Sequence, residues 1–117
     1  MTYNRPERVA EEIRKEIATM LFEEIHDPRI GFVTITKVAV SKDLRQAKVY
    51  FSMMGDEKER TKTMEGLQSA GGYIKREVGK RLKLRHFPDI IFKFDDSLEY
   101  ASRIEKIIKE IKDGQEV

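Results

Sequence analysis

Hydrophobic positions near the N-terminus recur every three or four residues, the spacing of one face of a helix. The recurring residues are Val9, Ile13, Ile17, Met20 and Leu21. Asn4 is a good N-cap residue and Pro6 suits a first helical turn, so the helix should begin there. It should end near Ile25, because Asp27-Pro28 forces the preceding backbone out of helical geometry. The pattern therefore predicts one amphipathic helix at the start of the chain.

From Phe32 to Ser41 the pattern changes to an alternation of β-branched and polar residues, with one slip in phase. This alternation predicts a strand. The same alternation at residues 47–52 predicts a second strand. The turn-forming residues Ser41-Lys42-Asp43 form a short link, so the two strands should form an antiparallel hairpin. Alternating apolar residues at 90, 92 and 94 predict a third strand.

Helical periodicity returns after Gly55-Asp56 and stops before Phe87-Pro88. Its apolar positions are Met64, Leu67, Ala70, Ile74, Val78 and Leu82. Two adjacent glycines, Gly71 and Gly72, interrupt this run, and each costs roughly 1 kcal/mol relative to alanine within a helix. We therefore expect a kink at Ala70-Gly71-Gly72 between two helices. We also expect the backbone of one of these glycines to adopt a conformation that a side chain disfavours, so that Gly72→Val lowers stability or straightens the helix pair.

A last helix should begin at Asp96 or Ser97, because Asp96 and Glu99 match a capping box. Its apolar stripe consists of Tyr100, Ile104, Ile107, Ile108 and Ile111, and we expect this stripe to pack. The element order is therefore α-β-β-α-kink-α-β with an additional C-terminal helix. Three strands with packed helices predict a two-layer α+β domain with a three-stranded sheet.

Composition narrows the class of protein. The chain has 117 residues, enough for one core, and 38% of them are charged, well above the usual fraction of about a quarter. Because it has no cysteine, disulfides, thiolate nucleophiles and cysteine-based zinc sites are excluded. No run is apolar enough for a signal peptide or a membrane span, which predicts a cytoplasmic protein without a membrane partner.

Basic residues are concentrated in one stretch near the end of the second helical region. Against a single acid, Glu77, this stretch carries Lys75, Arg76, Lys80, Arg81, Lys83 and Arg85. The net charge of the chain is only +2, so any affinity for nucleic acid must come from such local clustering. Lysine and arginine on a rigid helix neutralise phosphates and release counterions.

On a helical wheel, four of these residues, Lys75, Arg76, Lys80 and Lys83, spread over a sector of roughly 140° opposite the apolar stripe. Gly79 lies inside this sector, where we find no packing role for it and where a glycine allows another backbone to approach closely. The sector is either a phosphate-binding face or the solvated side of a densely charged protein. The excess of bases over acids favours RNA or DNA contact.

Other candidate sites are weaker. His26-Asp27 could in principle do acid–base chemistry, but a helix end followed by a turn explains the pair better. Asp95-Asp96 could bind a divalent cation, but a strand end and a helix cap account for both residues. No phosphate-binding loop, dinucleotide fingerprint or His-x-x-His spacing is present. The residues thus predict neither an enzyme nor a cofactor or metal site.

Several short motifs follow one another along nearly the whole chain. They are Arg5-x-x-Arg8-Val9, Asp27-Pro28-Arg29-Ile30, Val38-x-Val40-Ser41-x-Asp43-Leu44-x-x-Ala47-x-Val49, Ala70-Gly71-Gly72, Leu84-Arg85-x-x-Pro88 and Phe94-Asp95-Asp96-Ser97. Together, and in this order, they resemble the family of ribosome-binding factor A, a bacterial assembly factor of the small ribosomal subunit.

The resemblance implies a type II KH-like fold in which the Ala-x-Gly kink replaces the Gly-x-x-Gly loop that clamps nucleic acid in ordinary KH domains. Residues 1–96 would form this domain, and residues 97–117 a helical extension that is often flexible in the family. Arg5 and Arg8 would join the basic stretch in binding RNA.

The resemblance also implies a function. The family binds free small (30S) subunits and 16S rRNA, supports late subunit maturation and rRNA processing, matters most in the cold and is not catalytic. We expect this chain to do the same as a monomer. The alternative is a protein-interaction module that uses an acidic C-terminal helix and has no RNA role.

Overall fold

The computed structural model describes residues 5–115, without the side chains of residues 98–100 and 114–115. The elements in chain order are α1 (Arg5–Glu23), β1 (Val33–Val40), β2 (Gln46–Met53), α2 (Glu57–Arg81), β3 (Asp89–Phe94) and α3 (Ser97–Gln115). Three helices and one three-stranded sheet confirm the predicted α+β class. The predicted N-cap Asn4 lies outside the described residues. No helix within residues 5–115 is long and apolar enough to span a membrane.

The sheet has the strand order β1-β2-β3. β1 and β2 form the predicted antiparallel hairpin, whereas β2 and β3 run parallel. The predicted slip in phase is confirmed, because the register of β1 shifts between Ile35 and Lys37. The residue between them, Thr36, is held outside the regular pairing, and its hydroxyl donates a hydrogen bond of 2.7 Å to Oδ2 of Asp95.

The two faces of the sheet differ in what covers them. Ala47, Val49 and Phe51 of β2 are fully buried on one face. That face packs against α1 and α2, whose contributions to the core are led by Ile13, Ile17, Met20, Leu67, Ile74 and Val78. Side chains alternate along a strand, so Lys48 and Tyr50 of β2 point to the opposite face. We call that opposite side the open face of the sheet.

α2 is one uninterrupted helix of 25 residues, and the predicted division into two helices at Ala70-Gly71-Gly72 is therefore wrong. Its N-cap is Asp56, whose side chain accepts a hydrogen bond of 2.8 Å from the Glu59 amide. Leu67, Ile74 and Val78 bury their side chains completely on both sides of the glycine pair. This burial outweighs the propensity cost of the two glycines, because one buried aliphatic side chain contributes about 1.5–3 kcal/mol.

The expected strain at the glycine pair is absent as well. Neither Gly71 nor Gly72 has a positive φ. A Cβ built on Gly71 would meet no atom within 4 Å, and one on Gly72 would meet only Nη1 of Arg76, at 3.9 Å. The backbone conformation from which we expected Gly72→Val to lower stability is therefore not present.

α3 leaves its apolar stripe in solvent, so the expectation that the stripe packs is wrong for the described side chains. Ile104, Ile107, Ile108 and Ile111 are between 39% and 56% exposed. α3 begins at Ser97 as expected, and Oδ1 of Asp95 accepts a hydrogen bond of 3.0 Å from the Ser97 amide. The capping residue Glu99 and Tyr100 of the stripe lie outside the described side chains. The division into residues 1–96 and 97–117 stays a prediction.

Candidate nucleic-acid interface

α2 ends in a Schellman motif. The Leu84 amide donates to the Gly79 carbonyl at 3.0 Å, and the Lys83 amide to the Lys80 carbonyl at 3.3 Å. Lys83 has a φ of 53°, in the left-handed region that favours glycine. A side chain there costs about 1–2 kcal/mol. The motif reverses the chain directly after the helix and holds the exposed Lys83 at the tip of the reversal.

Gly79 is buried, and the interpretation that it has no packing role is wrong. A Cβ built on it would lie 2.1 Å from Cδ1 of Phe87, so the aromatic ring rests directly on the helix backbone. Pro88, which follows this ring, is itself fully buried. A close approach does occur at Gly79, as expected of a glycine, but a side chain of the same molecule makes it.

Arg81 is the most heavily paired of the predicted phosphate-binding residues. Its guanidinium lies 3.3 Å from Oε2 of Glu16 and 3.2 Å from Oε1 of Glu77, and it also donates to Oε1 of Glu24. The hydrogen bond to Glu24 is the main reason why the pKa of Arg81 is raised. The same carboxylate accepts a hydrogen bond of 2.6 Å from the Tyr73 hydroxyl. Arg81 therefore joins α1 to α2, and phosphate binding would require it to leave three carboxylates.

Two other predicted bases have weaker internal partners. Nζ of Lys75 lies 2.8 Å from Oδ1 of Asp89, at the start of β3, and both side chains are largely exposed. Nζ of Lys80 lies 3.6 Å from Oε2 of Glu77. Exposed pairs of this kind contribute little to stability, so either lysine can exchange its partner for a phosphate at small cost.

The remaining bases of the stretch point into solvent. Arg76, Lys83 and Arg85 are exposed and form no ion pair within the described part of the chain. All three lie near the C-terminal end of α2 or in the turn that follows it. Within the basic stretch, these three cations are therefore free to meet a phosphate.

The N-terminal turn of α1 lies at the same end of the domain. Pro6 and Glu7 line a cleft together with Val40 and Lys42, at the end of β1. The predicted residues Arg5 and Arg8 flank that pair in sequence, are exposed, and have no ion-pair partner among residues 5–115. The structure thus brings the start of α1 and the turn between β1 and β2 together.

The turn after α2 also reaches this end, because β3 pairs with the start of β2. The Asp89 amide donates a hydrogen bond of 2.8 Å to the Arg45 carbonyl, and Gln46 pairs with Asp89 in the sheet. We call this region, which contains the turns 41–45 and 82–88 and the first turn of α1, the hairpin end. The predicted set missed its bases Lys42 and Arg45. The sequence placed them in a turn, but only the parallel pairing of β2 with β3 brings that turn beside the end of α2.

The acids of the hairpin end are bound within the molecule. Asp43 accepts hydrogen bonds from the Ser41 hydroxyl at 2.7 Å and the Arg45 amide at 3.1 Å, which lower the pKa of Asp43. Asp89 is paired with Lys75. The bases of the hairpin end outnumber its acids Glu7 and Asp43, so its net charge is positive, as a phosphate-binding surface requires. These bases are Arg5, Arg8, Lys42, Arg45, Lys83 and Arg85.

The weaker candidate sites have structural roles. Asp27 accepts a hydrogen bond of 2.7 Å from Nη2 of Arg29, and this guanidinium holds the pKa of Asp27 below its ordinary value. His26 is exposed, and no hydrogen bond joins it to Asp27 among the described residues. Asp95 is bound to Thr36 and Ser97. Within the described residues, no three side chains of the His, Cys, Asp or Glu type gather as a metal site would need.

Comparison with known proteins identifies the relationship. A family model described as ribosome-binding factor A matches residues 5–108. The chain belongs to the ribosome-binding factor A family. Curated relatives of that name include the protein of Halothermothrix orenii, 48% identical over 116 residues, which cover 99% of this chain and 95% of the relative. The protein of Caldanaerobacter subterraneus is 53% identical over 108 residues, covering 92% and 88%. The resemblance read from the motifs is therefore confirmed.

Solved structures of ribosome-binding factor A share the fold. The crystal structure from Thermus thermophilus aligns with a TM-score of 0.65 at 21% identity, covering 78% of this chain and 96% of that one. A solution structure from Thermotoga maritima, described as a putative ribosome-binding factor A, aligns with a TM-score of 0.67 at 36% identity, covering 79% and 91%. In both comparisons more than a fifth of this chain lies outside the aligned part.

Proposed function

We propose that this protein binds free small ribosomal subunits through 16S rRNA phosphates, and that it supports late subunit maturation and processing of 16S rRNA. It acts as a cytoplasmic, non-catalytic monomer. The observation that carries the proposal is a group of free cations, Arg76 near the C-terminal end of α2 and Lys83 and Arg85 at the hairpin end, beside the bases of the 41–45 turn. Rigid, unpaired cations bind phosphates without first having to break an internal ion pair.

The relatives support this proposal. The chain is about half identical to proteins named ribosome-binding factor A over nearly its whole length. A model of the Thermus thermophilus factor, fitted into a cryo-electron microscopy map of its complex with the 30S subunit, aligns with a TM-score of 0.56 at 21% identity. At 21% identity this similarity shows a shared fold only. The complex with the 30S subunit was observed for the Thermus thermophilus protein.

The test is co-sedimentation with purified small subunits across a salt series. The triple variant Arg76→Gln, Lys83→Gln, Arg85→Gln should bind more weakly, and its affinity should fall less steeply with salt, because fewer counterions are released. The matched control changes three exposed lysines of α3, Lys106, Lys109 and Lys112, to glutamine. Thermal unfolding of both variants checks that the fold is intact. Unchanged co-sedimentation of the first variant would show that the hairpin end is not the binding site.

A second candidate, a protein-interaction module built on α3, has the exposed isoleucine stripe in its favour. The acidic character that was expected of this helix does not support the second candidate, because α3 contains four acidic and four basic residues. Removing residues 98–117 would then abolish partner binding, and RNA binding would be absent from the intact protein. Subunit binding that survives this truncation would argue against the second candidate.

A further inference from the structure

The open face of the sheet carries three lysines around a tyrosine. Lys37, Lys48 and Lys93 are exposed and Tyr50 is partly exposed. The alternate residues of β2, Ala47, Val49 and Phe51, are instead fully buried on the side of the sheet that packs against the helices. Because both α1 and α2 pack on that other side, the three lysines and Tyr50 stand on a surface that neither helix covers.

The pairing of the strands places these residues in rows. Lys37 is the partner of Tyr50 across β1 and β2, and Tyr50 is the partner of Lys93 across β2 and β3. Neighbouring strands are about 4.8 Å apart, so the ring stands between two lysines in a single row. Nζ of Lys37 lies 5.8 Å from the ring centroid. Lys48 is in the next row, between Ala39 and the partly buried Ile91.

The charge of this face is unbalanced. Lys48 and Lys93 have no ion-pair partner within residues 5–115. The acid at the end of the face, Asp95, accepts hydrogen bonds from Thr36 and Ser97 and lies near Lys37. Asp89, at the start of the same strand, is paired with Lys75. A solvated face usually intersperses both signs, whereas this one has three bases and, at its end, the single carboxylate of Asp95.

The open face also continues the hairpin end. Lys48 follows Arg45 by three residues, and Arg45 contacts the start of β3 through its carbonyl. A flexible strand of nucleic acid that leaves the bases of the 41–45 turn would therefore meet Lys48 first and the Lys37–Tyr50–Lys93 row next. Such a path fits a single strand, because a base has to be unstacked from its neighbours to lie on an aromatic ring.

We propose that the open face binds a single-stranded RNA segment, with the Tyr50 ring as a platform for one base and Lys37, Lys48 and Lys93 as phosphate contacts. The inference rests on the proposed function, because it takes RNA to be the ligand. It adds a second contact surface on the opposite side of the sheet from the helices. It also assigns a chemical form to the ligand, an unpaired segment of the RNA.

The test measures binding of a fluorescently labelled single-stranded RNA of about 12 nucleotides, within the range of known single-strand sites, by anisotropy. A duplex of the same sequence is measured alongside. Tyr50→Leu removes the ring but keeps an apolar side chain and should weaken single-strand binding about tenfold, as loss of one stacked base does. Tyr50→Phe keeps the ring and should bind like the wild type.

The lysines are tested together. Lys37→Gln, Lys48→Gln, Lys93→Gln should weaken single-strand binding and reduce the slope of log affinity against log salt by about 2, because each contact to a single strand contributes about 0.7. The control variant with three α3 lysines changed to glutamine has the same net charge and should keep the wild-type slope. Thermal unfolding confirms that each variant is folded.

Wild-type affinity in both Tyr50→Leu and the triple lysine variant would overturn the inference. Equal loss in Tyr50→Leu and Tyr50→Phe would also overturn it, because the ring would then not be the platform.

The proposed function is tested separately by the hairpin-end variant and small subunits. If that variant loses subunit binding while the sheet variants bind single strands normally, the proposed function stands and the open face is not an RNA site. If the sheet variants lose single-strand binding while the hairpin-end variant keeps subunit binding, the open face is an RNA site and the hairpin end is not the binding site.

Discussion

Two glycine sites in α2 have opposite relations to the rest of the molecule. At Gly71 and Gly72 the space around the missing side chain is open, with no atom within 4 Å of a Cβ on Gly71. At Gly79, two turns later, the same space is occupied by the Phe87 ring. The pair stands out in the sequence because adjacent glycines are unusual in a helix, yet the packing requires a glycine at position 79 and not at the pair.

The comparison shows that the structural role of a glycine depends on which atoms pack against its Cα. The pair lowers helix propensity without dividing α2 into two helices, since the helix is stabilised by buried side chains on either side. Gly79 permits the chain to fold back after the Schellman motif and to place an aromatic ring on the helix.

Gly79→Ala should lower the free energy of unfolding by up to about 2 kcal/mol. The new methyl group would overlap the Phe87 ring, and overpacking of this kind outweighs the gain in helix propensity of about 1 kcal/mol. Urea unfolding followed by circular dichroism measures the effect. In the double variant with Phe87→Ala the loss should be less than the sum of the two single losses, because the two residues are in contact. A stability gain in the single variant would contradict the packing argument.

Gly71→Ala should change stability in the opposite direction, raising the free energy of unfolding by about 1 kcal/mol. The methyl group enters open space, so the change in helix propensity acts alone. The same unfolding experiment measures it, and Gly72→Ala should have the same sign. A clear loss of stability at either position would mean that the pair has a conformational role after all.

Lys83→Gly should raise stability by up to about 1 kcal/mol, because glycine adopts the left-handed conformation without strain. The same change should weaken binding to small subunits, since it removes one of the free cations at the hairpin end. Lys83→Ala is the matched control, because it removes the cation but keeps a Cβ in the strained conformation. It should therefore lose affinity without gaining stability. Equal stability of the two variants would be evidence against the strain.

Arg81→Gln should give the smallest effect, and this effect should depend on pH. Arg81 first and Tyr73 second lower the pKa of Glu24 from 4.5. A carboxyl group whose pKa is lowered in the folded state stabilises the fold above its unfolded pKa and loses this contribution as the pH falls through its folded pKa. The difference in Tm between wild type and Arg81→Gln should therefore be present at pH 7 and shrink below about pH 4.5. A constant difference down to pH 3 would exclude the ion pairs as its cause.

Local patterns in the sequence predicted most of the fold. The helix α1, the β1–β2 hairpin, its slip in phase and the strand β3 all follow from periodicities of two or of three and four residues. The predicted division of α2 into two helices failed because propensity was weighed without the packing of Ile74 and Val78. The isoleucine stripe of α3 was recognised as apolar, but periodicity does not show whether another element covers it.

The candidate site was predicted less completely, because its geometry depends on contacts between distant residues. Arg81 lies 65 residues from Glu16 in the chain, so the pairing that occupies its guanidinium has no local signal. Arg45 joins the end of α2 only through the parallel pairing of β2 with β3. The basic stretch itself was visible, but which of its members are free was not.

The sequence by itself determined the order of the elements, the family and the position of the basic stretch, because each depends on neighbours along the chain. Tertiary structure alone decided that Gly79 carries the Phe87 ring, that Arg81 is held by three carboxylates and that Lys37, Tyr50 and Lys93 share one row of the open face. The physical reason is that side-chain contacts and free charges are set by which surfaces meet after folding, and the hydrogen-bonded residues Glu16 and Arg81 are 65 positions apart.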